Sequence, residues 1–213
     1  MDDSFWHGLW DANNIKFHQS RPNPHLIQFG SRFPPGKVFV PLCGKSGDMY
    51  WLEEQGHEVI GVELSELAGR AFFDERQRVY TESREGKFLK LQSGPITLWI
   101  GDFFNLTPDL FRGVTGVYDR AALIALPLEL RERYVRRMRS LLGANPYWML
   151  LLAIEYAAHE MEGPPFAVTD EEVRSLYRGA QIESLAVLEN VPHQWDSVTA
   201  LTERVYGVSN GKL

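Results

Sequence analysis

Three charged side chains stand at or just beyond the ends of short apolar runs: Glu63 after Val59–Val62, Asp102 after Ile96–Ile100 and Arg120 after Val114–Tyr118. A fourth run, Lys37–Leu42, ends in the small-residue turn Cys43-Gly44-Lys45-Ser46-Gly47. An acid closing a strand can accept hydrogen bonds from both hydroxyls of a ribose, and Glu63 falls 19 residues after Gly44. Leu64 follows it directly. Asp102 can take the exocyclic amine of an adenine with Phe103 against the ring, or serve only as a loop or cap residue. Arg120 places a fixed positive charge that would favour an ionised partner, or pairs with Asp119 or another acid. Cys43 invites a nucleophile reading, but it closes an apolar strand with no triad pattern around it, so a structural role is expected.

The turn chemistry separates three ligand classes. A dinucleotide requires G-x-G-x-x-G to seat a pyrophosphate on a helix N-terminus, and here Gly44 and Gly47 are three apart with the triplet missing. A nucleoside triphosphate requires G-x-x-x-x-G-K-[ST]; Gly44-Lys45-Ser46 supplies the tail, but Phe39 occupies the first glycine position. S-adenosylmethionine carries a ribose and no phosphate. It asks only for the carboxylate and a close-packed turn, and it is the best fit.

The elements that must hold these residues follow from periodicity. Residues 4–12 predict a helix with Phe5, Trp6, Leu9 and Trp10 as its apolar stripe, followed by a polar, proline-interrupted loop over 13–24 and a short helix over His25–Phe33. This aromatic-rich extension reads as a lid over the ligand site. Ser46 is the expected N-cap of a helix carrying Met49, Trp51 and Leu52, which Gly56 ends. Ser65 and Glu66 open a helix to about Tyr80, with Leu67, Ala68, Ala71 and Phe72 buried. Lys87–Gln92 and Ile96–Ile100 read as a hairpin about Ser93-Gly94-Pro95. Further on come a strand at Val114–Tyr118, a helix at Leu128–Leu142, a strand at Tyr147–Ile154, a long loop at Glu155–Phe166 and a helix capped by Thr169 or Asp170. Ile182–Leu188 and Thr199–Tyr206 close as an antiparallel pair. The order predicts one α/β domain over 1–213: a helical lid at 1–35 and, at 36–213, a doubly wound, mostly parallel seven-stranded Rossmann-like sheet.

Composition narrows the partners. The chain is 213 residues long, 44% apolar and 23% charged, with a net charge of −6, which argues against nucleic acid or an anionic membrane. Arg131, Arg133, Arg136, Arg137 and Arg139 cluster, but they interleave with Glu129, Glu132, Leu130, Tyr134 and Met138 at helical spacing and read as a solvated helix face. No apolar run reaches the length of a membrane span, and MDDSFWHGLW is not built like a secretion signal. A single cysteine fits a reducing compartment, so a cytoplasmic protein is expected; no exposed apolar stripe is left unassigned, so a monomer is expected too. His7, His18 and His25 lack companions at metal-ligand spacing, so no metal is expected, and His18 reads as a hydrogen-bonding residue of the lid.

Taken in order, FWHGLWDANNIKFHQ, VPLCGKSGDMYWL, GHEVIGVELSELA, YDRAALIAL and GPPFAVTDEEV make the chain resemble the thiopurine S-methyltransferase family in its bacterial form. The resemblance spans nearly the whole sequence. It implies a class I methyltransferase fold, S-adenosyl-L-methionine as methyl donor (S-adenosyl-L-homocysteine as product) and an aromatic or heterocyclic thiol as acceptor. It also implies a lid formed by the N-terminal segment. By position it carries cofactor contacts onto Trp10, Leu42, Glu63, Asp102, Phe103 and Arg120, and a contact with both cofactor and acceptor onto Phe17. One departure is plain: vertebrate members place a further substrate-side arginine in the last quarter, and none stands between Val191 and Ser197.

The implied reaction is in-line displacement on a sulfonium methyl. Alignment of two bound reactants supplies roughly 7–11 kcal/mol there, more than a general base would add. Selenium or tellurium species are an alternative acceptor class to thiopurines. Outside that reaction stand a non-catalytic S-adenosylmethionine-binding protein and a nicotinamide oxidoreductase, the latter disfavoured by the missing glycine triplet.

Overall fold

Alternation along the central strands decides how the layers stack. In β1 (Lys37–Val40), Phe39 points into one apolar core while Val38 and Val40 point into the other. In the strand formed by Trp148–Glu155, Met149, Leu151 and Ala153 serve the first core and Leu150 and Leu152 the second. A strand buried on both faces needs cover on both, and the helices divide accordingly. The computed structural model describes residues 3–15, 18–19 and 21–211.

The described residues run α1 (Asp3–Asp11), α2 (Pro24–Phe29), β1, α3 (Asp48–Glu54), β2 (Glu58–Glu63), α4 (Glu66–Asp74), β3 (Thr81–Glu85), β4 (Phe88–Ser93), β5 (Ile96–Ile100), β6 (Val114–Asp119), α5 (Leu128–Leu142), β7 (Trp148–Glu155), α6 (Asp170–Leu176), β8 (Gln181–Leu188) and β9 (Thr202–Ser209). They build one sheet in the order β3-β4-β5-β2-β1-β6-β7-β9-β8. The pairs β5–β2, β2–β1, β1–β6 and β6–β7 are parallel, and β9 enters antiparallel between β7 and β8. Nine strands form where seven are expected; the hairpin about Ser93-Gly94-Pro95 is the antiparallel pair β4–β5, and β3, which no expectation covered, adds to the edge by pairing with β4. Buried residues of α2, α3 and α4 lie in one core, and those of α5 and α6 in the other.

Several expectations need correction. The helix opened by Ser65 stops at Asp74 rather than Tyr80, because the chain turns at Gln77 with φ +53°, after which β3 begins. Leu67 is exposed; Gly69 and Phe73 take the buried positions with Ala68 and Phe72. The cap of α3 is Gly47 and not Ser46, whose hydroxyl instead accepts from the Asp48 amide at 3.3 Å. The arginines of α5 are not one solvated face. Arg131 is buried, donates to Leu126 O and forks onto Glu172 at 2.7 and 2.8 Å, while Arg137 and Arg139 reach the backbone carbonyls of Leu106 and Arg178. Helical period explains this, since Arg131 shares its face with Tyr134, Val135 and Met138. Thr169 is the cap of α6, its hydroxyl accepting from the Glu172 amide.

Candidate active site

The strand order reverses at β1, whose neighbours are β2 on one side and β6 on the other. In open α/β sheets, ligands bind in the crevice beyond the carboxyl ends at such a point. Three segments lead into it: the turn after β1 with Leu42 and Gly44, the end of β2 with Glu63 and Leu64, and Arg120 just past β6. Asp102 follows Ile100, the residue paired with Glu63, and the Gly101 amide donates to the Glu63 carbonyl at 2.8 Å.

Glu63 is buried at 6% exposure, and its carboxylate ties the crevice together. Oε2 accepts from the Gly44 amide at 2.9 Å and Oε1 from the Ser65 amide at 2.8 Å, so the acid joins the glycine turn to the start of α4. Burial raises its pKa; the amides of Ser65, Gly44 and Leu64 and the charge of His7 act the other way. A carboxylate carries about four lone-pair sites. Each oxygen therefore retains capacity for one incoming hydroxyl, the donor set of a ribose.

The turn is built for close approach. Leu42 and Gly44 both take positive φ, +46° and +54°. Trp10 of α1 is buried over the glycine: a Cβ at Gly44 would lie 3.2 Å from the indole Cζ2. Only a residue without a side chain lets the aromatic face close down here. His18, further along the N-terminal extension, reaches the same place. Burial lowers its pKa, Lys45 and Arg120 lower it further, and Glu75 and Asp48 act the other way.

The remaining expected residues divide. Asp102 is a cap: Oδ1 accepts from the Phe104 amide at 2.8 Å and Oδ2 from Asn105 Nδ2 at 3.1 Å. The Phe103 ring turns into the core, 6.4 Å from Phe39 and 4.9 Å from Tyr134, so its stacking faces are used there. Phe17 lies outside the described residues. Cys43 is buried with its thiol pKa pushed well up by burial, an inert thiol. Among the described residues no cluster of three or more His, Cys, Asp or Glu is placed to hold a metal ion.

Sequence reasoning missed two buried carboxylates beside the site. Asp48 accepts from the Asn23 amide and the Tyr118 hydroxyl at 2.7 and 3.0 Å. Asp119 accepts from the amides of Ala122 and Leu123 and from the Tyr134 hydroxyl at 2.7 Å. Burial first of all lifts Asp119 to a pKa of about 6. The one available signal was an acid within a run of otherwise apolar or small residues.

The family model described as thiopurine S-methyltransferase matches residues 1–211. The chain belongs to the thiopurine S-methyltransferase family. With that membership come its enzyme class, a methyltransferase, and its methyl donor, S-adenosylmethionine. A Pseudomonas putida thiopurine S-methyltransferase is 42% identical over 216 residues, covering 98% of this chain and all of the relative. One from Methylococcus capsulatus is 44% identical, covering 97% and 96%. Two solved structures share the fold at lower identity. The Burkholderia thailandensis 1,6-didemethyltoxoflavin-N1-methyltransferase, with 1,6-didemethyltoxoflavin and S-adenosylhomocysteine bound, is 17% identical with a TM-score of 0.66 over 99% of this chain and 87% of that one. The magnesium protoporphyrin IX methyltransferase of Synechocystis, with bound S-adenosylhomocysteine, is 14% identical with a TM-score of 0.64 over 99% and 100%. Family and geometry meet at Glu63: a buried carboxylate with lone pairs to spare, beside a turn whose Gly44 carries no side chain, suits a nucleoside without phosphates.

Proposed function

We propose that this enzyme transfers the methyl group of S-adenosylmethionine to the sulfur of an aromatic or heterocyclic thiol of the thiopurine kind. The observation that carries the reading is the meeting, at one end of the sheet, of Glu63, Trp10 packed on Gly44, and Arg120. When bound, the donor supplies a methyl group on a sulfonium. Glu63 holds the ribose; Leu42, Gly44 and Leu64 line the approach with backbone; Asp102 and the Phe103 backbone border the nucleobase. Trp10 excludes water and offers a π-face to the sulfonium charge. Arg120 favours the ionised acceptor and helps align it, and Phe17 belongs to both ligands. Residues 1–35 act as the lid on a core of 36–213 within one domain. The protein works as a monomer on a small molecule, in the cytoplasm, a reducing compartment that its one free, buried cysteine fits. No helix among the described residues is long and apolar enough to cross a membrane.

The test is a series of aryl and heteroaryl thiols graded by acidity, with labelled S-adenosylmethionine. Wild type methylates the series, and Arg120→Ala loses most turnover on the least acidic thiols. A uniform loss across the series removes the role assigned to Arg120. Donor binding with no transfer to any thiol removes the acceptor class.

A further inference from the structure

Arg120 emerges from two residues that are each pinned by a buried carboxylate–phenol hydrogen bond, one on either face of β6. Tyr118, in the core shared by α2, α3 and α4, donates to Asp48 Oδ2 at 3.0 Å. Asp119 accepts at Oδ2 from Tyr134 of α5 at 2.7 Å, while its Oδ1 receives the amides of Ala122 and Leu123 and shapes the turn beyond Arg120. All four side chains are buried, Asp48 at 2% exposure and the other three at 1% or less.

Asp48 does more than hold Tyr118. Its Oδ1 accepts from the Asn23 amide at 2.7 Å, and Asn23 is the cap of α2, its own Oδ1 accepting from the His25 amide at 2.9 Å. Asn23 is therefore one point at which the N-terminal extension is fastened to the core; His25 Nε2 on Glu203 of β9 and Arg32 on Glu183 of β8 are others. Asp48 itself opens α3, four residues past Gly44. One carboxylate thus joins three segments that bound the site: the root of the extension, the glycine turn and the end of β6. Apolar side chains of similar volume would pack such a place at no desolvation cost. What an acid with two occupied oxygens adds is fixed direction and distance among the three.

We propose that Asp48 and Tyr118 are positioning residues that hold the root of the N-terminal extension at Asn23 and the end of β6 that carries Arg120 in one arrangement, so that the two are placed together. Neither touches ligand. The inference rests on Arg120 belonging to the site, as read above, and the experiment keeps the two apart. S-adenosylhomocysteine affinity by calorimetry, and kcat and KM with a weakly acidic aryl thiol, are measured for wild type, Tyr118→Phe, Arg120→Ala and the double variant. Melting temperatures are recorded alongside.

The Phe variant removes one hydroxyl and keeps the ring. It should lower kcat/KM about five- to tenfold in the wild-type background and less than twofold when Arg120 is already Ala. Equal losses in both backgrounds would show that the clamp does not act through Arg120, and overturn the proposal. Wild-type kinetics for Arg120→Ala alone would instead overturn the reading of Arg120, and the clamp's link to it. Asp48→Asn supplies the second arm. It keeps one acceptor oxygen of two, and it should speed proteolytic cleavage ahead of Asn23 at least threefold at a temperature where the sheet stays folded by circular dichroism. An unchanged cleavage rate would overturn the link to the extension.

Discussion

Replacing Glu63 by Gln is the most direct probe of the site, because it exchanges one carboxylate oxygen for an NH2 group and changes little volume. The carboxylate accepts from Gly44 N at Oε2 and Ser65 N at Oε1, leaving one direction free on each oxygen. The amide keeps one oxygen. Its NH2 must then face either the Gly44 or the Ser65 amide, donor against donor, and one ribose hydroxyl loses its acceptor. A hydrogen bond to a charged group contributes about 1.5–3 kcal/mol. At ~1.4 kcal/mol per decade, S-adenosylhomocysteine should bind roughly 10- to 150-fold more weakly.

Calorimetry at pH 8 reads that loss. A pH series separates charge from shape. Burial raises the Glu63 pKa above 4.5, so wild-type affinity should fall as acid protonates the group through that raised value. The Gln variant has no such group to titrate and should lack that part of the fall. An uncompensated buried amide costs about 1–3 kcal/mol of stability, offset in part because a neutral group replaces a desolvated anion, so melting is recorded in parallel. If the variant melts like wild type and binds within threefold of it, the ribose assignment is wrong.

Two further perturbations test neighbouring claims. Asp119 has its pKa raised from 3.8 to about 6, so the folded state binds its proton more tightly than the unfolded one. The stability this gives is full below 3.8 and lost as pH rises to 6, a change of ~3 kcal/mol at ~1.4 kcal/mol per unit. Urea unfolding of Asp119→Asn should therefore gain on wild type by about that amount between pH 4 and pH 7, and parallel curves would contradict it. Gly44→Ala forces a side chain into φ +54°, costing about 1–2 kcal/mol, and puts its Cβ 3.2 Å from Trp10 Cζ2. It should weaken S-adenosylhomocysteine binding and expose α1 to protease; retention of both wild-type affinity and protection would show that Trp10 does not depend on that glycine.

What could be read from the sequence was whatever local chemistry alone decides. The helix at Leu128–Leu142 was legible to the residue, because Pro127 opens it, Gly143 closes it at φ +60° and the period of Tyr134, Val135, Met138, Leu141 and Leu142 runs to its end, the buried Arg131 being the one charge on that face. β1, β2, β5 and β6 were legible as β-branched or aromatic runs ending in polar or small residues. β3 was not: every residue of Thr81–Glu85 is exposed, so no alternation marks it. The end of α4 was hidden because Gln77 takes the left-handed turn usually left to Gly or Asn. In the candidate site, the position of Glu63 at the end of β2 was readable from the apolar run before it. Asp48 reads locally as an ordinary first-turn helix acid, and its partners lie 25 and 70 residues away, where no local pattern reaches.

Three buried carboxylates, Glu63, Asp48 and Asp119, crowd the carboxyl end of this sheet, and burial raises the pKa of two of them. Stability alone does not explain that choice, since a buried carboxylate costs free energy that an apolar residue would not. Their partners do. Glu63 fastens the glycine turn to α4, Asp48 fastens the root of the extension to β6, and Asp119 fastens β6 to α5 and shapes the turn beyond Arg120. A reaction that depends on aligning two bound molecules gains more from rigid placement than from a proton donor. The fold accepts marginally lower stability at this one edge, and the backbone there is held ready before any ligand arrives.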